Sequence, residues 1–201
     1  MPNKRIFILP IEPLENRYTK QWLEHIPRIL DKKINIDSNK ATILSISGEQ
    51  NKEELAISGN FLNFVDTNVW KNSQLIAFLK QFTIKDGDTI LVTDAWNTNI
   101  IQLRYILDLQ NIKAKIIGIF HAGSYDPQDW LGRVVGDKNW IRHTEKAIFH
   151  ALDYSIFSTN YHRNLFLDTL DLWRYADKAI LSGFPMEYLS VELSNDVQSE
   201  Y

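Results

Sequence analysis

A doubly wound α/β domain, with a mainly parallel sheet and helices on both faces, is the fold class this sequence predicts. Three observations predict it. Short apolar runs alternate with longer amphipathic ones along nearly the whole chain. Most of the short runs are continuously apolar rather than alternating, which suits strands buried on both faces. Turn formers separate the elements, as at Asp86-Gly87-Asp88 and Gly183-Phe184-Pro185. Strand–helix–strand alternation builds such a layered sheet, and right-handed crossovers gather the functional loops at the carboxyl ends of its strands.

The strands are expected at residues 6–9, 42–46, 89–93, 115–120, 154–158 and 178–181. The helices are expected where apolar residues recur at steps of three and four. Tyr18, Trp22, Ile26 and Ile29 form the first stripe, with Pro27 inside it expected to kink the helix or start a second one. Leu75, Phe78, Leu79 and Phe82 form the second, and Trp96, Ile100, Leu103 and Leu107 the third. Ile141, Ile148 and Leu152 form the fourth, and Tyr161, Leu165, Phe166, Leu170 and Trp173 the fifth. The polar segment 49–58, between Gly48 and Gly59, fits no element. Residues 1–185 read as one domain and 186–201 as a linker or tail.

The 201 residues are 44% apolar, enough for one substantial core. Lys and Arg number 22 against 25 Asp and Glu, a formal charge of -3, so no general basic surface would hold nucleic acid by charge alone. The chain has no Cys, which removes disulfides, thiolate catalysis and Cys-ligated metal sites. No apolar run is long enough for a transmembrane helix or a signal peptide, and a soluble cytoplasmic protein is expected. HExxH spacing, a nucleophile elbow and a Walker loop are absent, and no metal is expected.

Three strand-end loops carry the candidate chemistry. The first, residues 10–19, has two Pro and no Gly, so it lacks the turn that would hold a cofactor pyrophosphate. Arg17 there offers a fork to phosphate or carboxylate, or is a surface charge beside a helix capped by Asn16 or Thr19. The second holds Asp94, placed equally well for acid–base work or for capping the next helix. The third, residues 121–133, is the densest. His121 can shuttle protons or donate to a sugar hydroxyl or phosphate. Asp126 and Asp129 can accept hydroxyl protons, Arg133 can hold an anion, and Tyr125 and Trp130 can stack on a sugar or base. In the structural alternative Asp126-Pro127 makes a turn and Trp130 plugs the core.

The sequence His121-Ala122-Gly123-Ser124-Tyr125-Asp126 at a strand end, the order of elements and the closing pattern through Tyr154–His162 to Ala179–Pro185 resemble the N-terminal half of a GT-B glycosyltransferase. The opening segment 10–22 and the loop 121–133 also resemble glycosyltransferase-like proteins of tailed bacteriophages, some of which decorate hypermodified DNA bases. The resemblance implies a Rossmann-like, acceptor-side domain. It implies Asp126, Asp129, His121 and Asp94 as catalytic candidates, and Arg17, Tyr18, Gly123, Ser124, Tyr125, Trp130 and Arg133 as substrate contacts. It implies a nucleotide sugar, a UDP-sugar by preference, as co-substrate and a hydroxyl acceptor such as a hydroxymethylated base in phage DNA. Donor contacts would come from a second GT-B domain or from an oligomeric partner. The alternative function is a non-catalytic binding module for a nucleotide, a sugar or a partner protein.

Overall fold

The computed structural model describes residues 4–14, 17–34, 41–50 and 63–186. Six strands, all paired in parallel, form one sheet: β1 (Lys4–Leu9), β2 (Ala41–Ser45), β3 (Thr89–Val92), β4 (Lys115–Ile119), β5 (Tyr154–Phe157) and β6 (Ala179–Leu181). All six coincide with the apolar runs. The helices are α1 (Tyr18–Ile34), α2 (Phe64–Gln81), α3 (Asn99–Leu109), α4 (Trp130–Val135), α5 (Asn139–Ala151) and α6 (Asn160–Thr169), followed by a 3-10 turn, Trp173–Lys178.

Strand side chains alternate between two faces. Phe7, Leu9, Ile90, Val92, Ile116 and Phe157 join the larger core with residues of α2, α3, α5 and α6. Ile8 and Leu91 point the other way and bury Trp22 and Ile26 of α1, with Ile6, Ile43, Ile117 and Ile119 packed around them. The larger core is rich in aromatics. Phe120 stacks on Phe157 at 5.2 Å, and Phe166 sits 4.8 Å from Phe120.

Three of the helical stripes need correcting, and of the two expectations for Pro27, a kink or a second helix, the second is not met. Helix α1 runs through Pro27 as one element. Trp22 and Ile26 before the proline and Leu30 after it pack on the same sheet face, and that burial offsets the lost backbone bond. Trp96 lies in the loop before α3 and lines a cavity instead of the core. Leu79 is exposed, because the buried face of α2 runs through Thr67, Trp70, Lys71, Gln74, Leu75 and Phe78. Tyr161 and Trp173, at the two ends of the fifth stripe, are exposed. Residues 51–58 of the unplaced segment, and all of the tail after Met186, lie outside the described residues, as does Asn16.

The amino-terminal rim of the sheet is pinned by ion pairs. Arg5 reaches Asp88 with two bonds of 3.0 and 2.6 Å, and Arg104 reaches Asp153 at 2.6 Å. Asp153 also accepts from the Ile116 N–H at 2.7 Å. The opposite rim carries the polar loops.

Candidate functional site

The strand order is β2-β1-β3-β4-β5-β6. From β1 the chain steps outward to β2, and from β3 it proceeds the other way. The order reverses between β1 and β3, and the crevice outside the carboxyl ends at such a reversal is where doubly wound sheets bind ligands. A cavity of about 270 Å³ opens there. Its walls come from three strand-end loops (Glu12 and Arg17; Asp94 and Trp96; His121 and Asp129), with Tyr18 of α1 and Phe64, Thr67 and Lys71 of α2.

Thr93, directly after β3, joins the three loops. Its backbone N–H donates to Leu9 O at 3.0 Å, and its hydroxyl accepts from the Ile11 N–H at 2.8 Å. Its carbonyl accepts from His121 Nε2 at 2.6 Å. A carbonyl only accepts, so Nε2 carries the ring proton and Nδ1 accepts from the Tyr18 hydroxyl at 3.2 Å. Burial holds the His121 pKa below its ordinary value, against the pull of the Asp94 charge. His121 is therefore an oriented imidazole with both nitrogens engaged, and its burial favours the neutral ring. Trp22 and Phe184 pack against it, with centroids 5.0 and 6.1 Å away.

Helix α2 carries the other half of the site. Its buried face is polar near its start and apolar near its end. The polar part clamps loops: Trp70 Nε1 and Gln74 Nε2 both donate to Pro10 O, at 3.0 and 2.9 Å, and Gln74 Nε2 also donates to Ile46 O at 2.9 Å. Thr67 donates its hydroxyl to Glu12 Oε2 at 2.7 Å. Lys71, 6% exposed, donates to Trp96 O at 2.6 Å and pairs with Asp94 Oδ2 at 2.8 Å. The cation and the carboxylate neutralise one another at the wall, which is what makes burying either tolerable. Burial raises the Glu12 pKa, and the nearby Asp66 and Asp94 charges add to the rise; the Thr67 bond opposes it.

Beneath the third loop lies Glu145 of α5, 1% exposed. Its Oε1 accepts from the backbone N–H and the hydroxyl of Ser124, both at 2.7 Å, and the Trp96 indole lies near enough to favour its carboxylate as well. Burial raises its pKa. Glu145 thus holds the loop from below, as an internal anchor remote from solvent.

Of the residues singled out from sequence, Arg17, Tyr18, Asp94, His121 and Asp129 meet at the cavity. Trp130 stacks on Phe64, a cavity-lining ring, at 5.0 Å. The others have different surroundings. Tyr125 is 3% exposed, packed edge-on against Phe166 and bonded through its hydroxyl to His162, so its ring is core and offers no stacking face. Gly123 leaves room for that ring: a Cβ there would stand 2.1 Å from it. Ser124 is spent on Glu145. Asp126 closes a turn by accepting from the Gln128 N–H at 2.8 Å, the structural role open to it from sequence, and Arg133 is exposed on α4. Asp129 lines the cavity and also caps α4 by accepting from the Leu131 N–H. Asp94 accepts from the Trp96 N–H at 3.1 Å as well as pairing with Lys71. Thr19 accepts from the Leu14 N–H at 3.0 Å and folds the first loop back onto α1.

Sequence reasoning passed over Glu12, Thr67, Lys71 and Phe64. The usable signal was that Thr67, Lys71 and Gln74 continue the Leu75–Phe78 stripe at helical spacing, a polar extension of a buried face. Among the described residues no cluster of His, Asp or Glu is arranged to hold a metal ion, and no helix is long and apolar enough to cross a membrane. No family model matches the chain, and no curated protein matches it. What is shown of its kind is a Rossmann-like, doubly wound α/β fold with a crevice at its topological switch point that charged and aromatic side chains line.

Proposed function

We propose that this chain is the acceptor-side half of a glycosyltransferase, moving a sugar from a nucleotide-sugar donor to a hydroxyl. The observation that carries the reading is the convergence on one switch-point cavity of two part-buried carboxylates, Glu12 and Asp94, a buried cation, Lys71, and the rings of Phe64 and Trp96. Carboxylates and oriented donors recognise hydroxyls, aromatic walls take the apolar faces of sugars and bases, and a carboxylate at the cavity wall can remove a hydroxyl proton. The donor is a UDP-sugar in this reading, and a hydroxymethylated base in DNA is the acceptor that the sequence resemblance favours. Such a base has to leave the stack to enter a cavity in the protein. The donor's remaining contacts come from a second lobe.

The test is nucleoside diphosphate release by the full-length protein from UDP-glucose, with and without DNA containing 5-hydroxymethylcytosine. Acceptor-dependent release is expected. Absence of release across a panel of UDP-sugars and hydroxyl acceptors overturns the reading.

One observation favours a second reading, a non-catalytic binding module: Asp94, Asp126 and Asp129 each commit an oxygen to a backbone N–H. Calorimetric binding of a nucleotide sugar or acceptor DNA without turnover would decide for it.

A further inference from the structure

We propose that Glu12, in the loop after β1, is the general base of this cavity, an inference that rests on the transferase reading. The other acids there are more fully engaged. Asp94 has both oxygens engaged, one with the Trp96 N–H and one with Lys71. Asp129 is aimed at the start of α4, where it accepts from the Leu131 N–H. His121 has both ring nitrogens engaged, by Thr93 O and the Tyr18 hydroxyl. Glu12 differs. Its Oε2 is oriented by the Thr67 hydroxyl, while Oε1 has no hydrogen bond among the described residues, and the residue lines the cavity.

Its mounting is rigid. Pro10, two residues earlier, has its carbonyl held by both Trp70 and Gln74, and Ile11 is held through its N–H by Thr93. Its electrostatic setting also suits proton uptake. Asp66 and Lys71 of α2 and Asp94 after β3 are the charged groups that act on it, and with burial they leave its proton affinity above that of an ordinary carboxylate. A base works best when its pKa approaches the operating pH. In the reaction, Glu12 Oε1 takes the acceptor hydroxyl proton as that oxygen bonds to the anomeric carbon of the donor. The bond from that carbon to the diphosphate oxygen breaks, its electron pair leaves with the nucleoside diphosphate, and the proton on Glu12 passes to water.

The experiment compares Glu12→Gln, Glu12→Asp and Thr67→Val in the full-length protein, reading UDP release from UDP-glucose with 5-hydroxymethylcytosine DNA against pH. Glu12→Gln keeps the size of the side chain and an oxygen to accept from Thr67. It should lower kcat by about 10²- to 10⁴-fold with little change in donor KM. Glu12→Asp should recover part of the rate. Thr67→Val removes a bond that favours the carboxylate, so the acidic limb of its kcat profile should move to higher pH, a shift that a purely structural Glu12 would not produce. A wild-type rate and profile in Glu12→Gln, or an unmoved acidic limb in Thr67→Val, overturns the assignment while the transferase reading stands. No turnover by the wild-type protein overturns that reading and the base together.

Discussion

At the residue scale, Lys71 makes the site electrostatically possible. It is a nearly buried cation whose partners, Asp94 Oδ2 and Trp96 O, both belong to the loop after β3. Lys71→Met leaves Asp94 in a poorly solvated wall without its cation. Breaking one side of a buried pair is costly, and urea unfolding should show a loss of about 3 kcal/mol. Adding Asp94→Asn, which keeps an oxygen for the Trp96 N–H, should restore much of that loss, and an additive double-mutant cycle would contradict the pairing. Gly132 is a second such residue. Inside α4 an alanine is ordinarily the better helix former, yet a Cβ here would stand 1.8 Å from the backbone oxygen of Asp126. Gly132→Ala should therefore destabilise by about 1–3 kcal/mol through overpacking, where propensity alone predicts a gain.

At the element scale, α2 is a helix of two halves. Leu75 and Phe78 fasten it to the core, and Thr67, Trp70, Lys71 and Gln74 on the same face fasten it to the strand-end loops. Gln74→Leu keeps the bulk but takes one donor each from the carbonyls of Pro10 and Ile46. A cost of about 1–3 kcal/mol is expected in urea unfolding, since buried acceptors lose partners. Faster backbone exchange at Ile11, just beyond Pro10, is expected alongside it. Unchanged exchange there would mean that α2 does not hold the loop. This role of α2 was half legible. The Leu75 and Phe78 spacing announced a helix, but a polar residue at a helical position is usually solvated. Only the neighbouring loop shows that these four are turned inward.

At the scale of the whole molecule, pH links the loops to stability. His162, on α6, bonds the buried Tyr125 hydroxyl, and burial lowers its pKa from 6.5 to about 4. Folding thus favours the neutral ring. The unfolded chain binds the extra proton between about pH 6.5 and 4, so His162 costs stability as pH falls through that window. Glu12 and Glu145 act in the opposite sense. Their pKa values are raised in the fold, so the stability tied to their protonated forms is present at low pH and lost as pH rises. A paired pH series with His162→Gln isolates the first contribution. Wild type should lose stability relative to the variant on acidification from about pH 6.5 to 4, and parallel curves would refute the linkage.

By itself the sequence determined the sheet. Short, mostly continuous apolar runs at residues 6–9, 42–46, 89–93, 115–120, 154–158 and 178–181 became six parallel strands, and the central β1 and β3 are covered on both faces, as such runs require. It also singled out the strand-end loops in which Asp94, His121 and Asp129 lie. The tertiary structure alone decided the order of the strands, and hence that the reversal falls between β1 and β3. It decided that Tyr125 turns into the core while Trp96 turns out of it, and that Glu12 meets Thr67 across 55 positions of sequence. Periodicity reports which face of an element is buried. Which partner buries it, and which polar group is left facing a cavity, depends on contacts between residues distant in the chain, where local pattern carries no information.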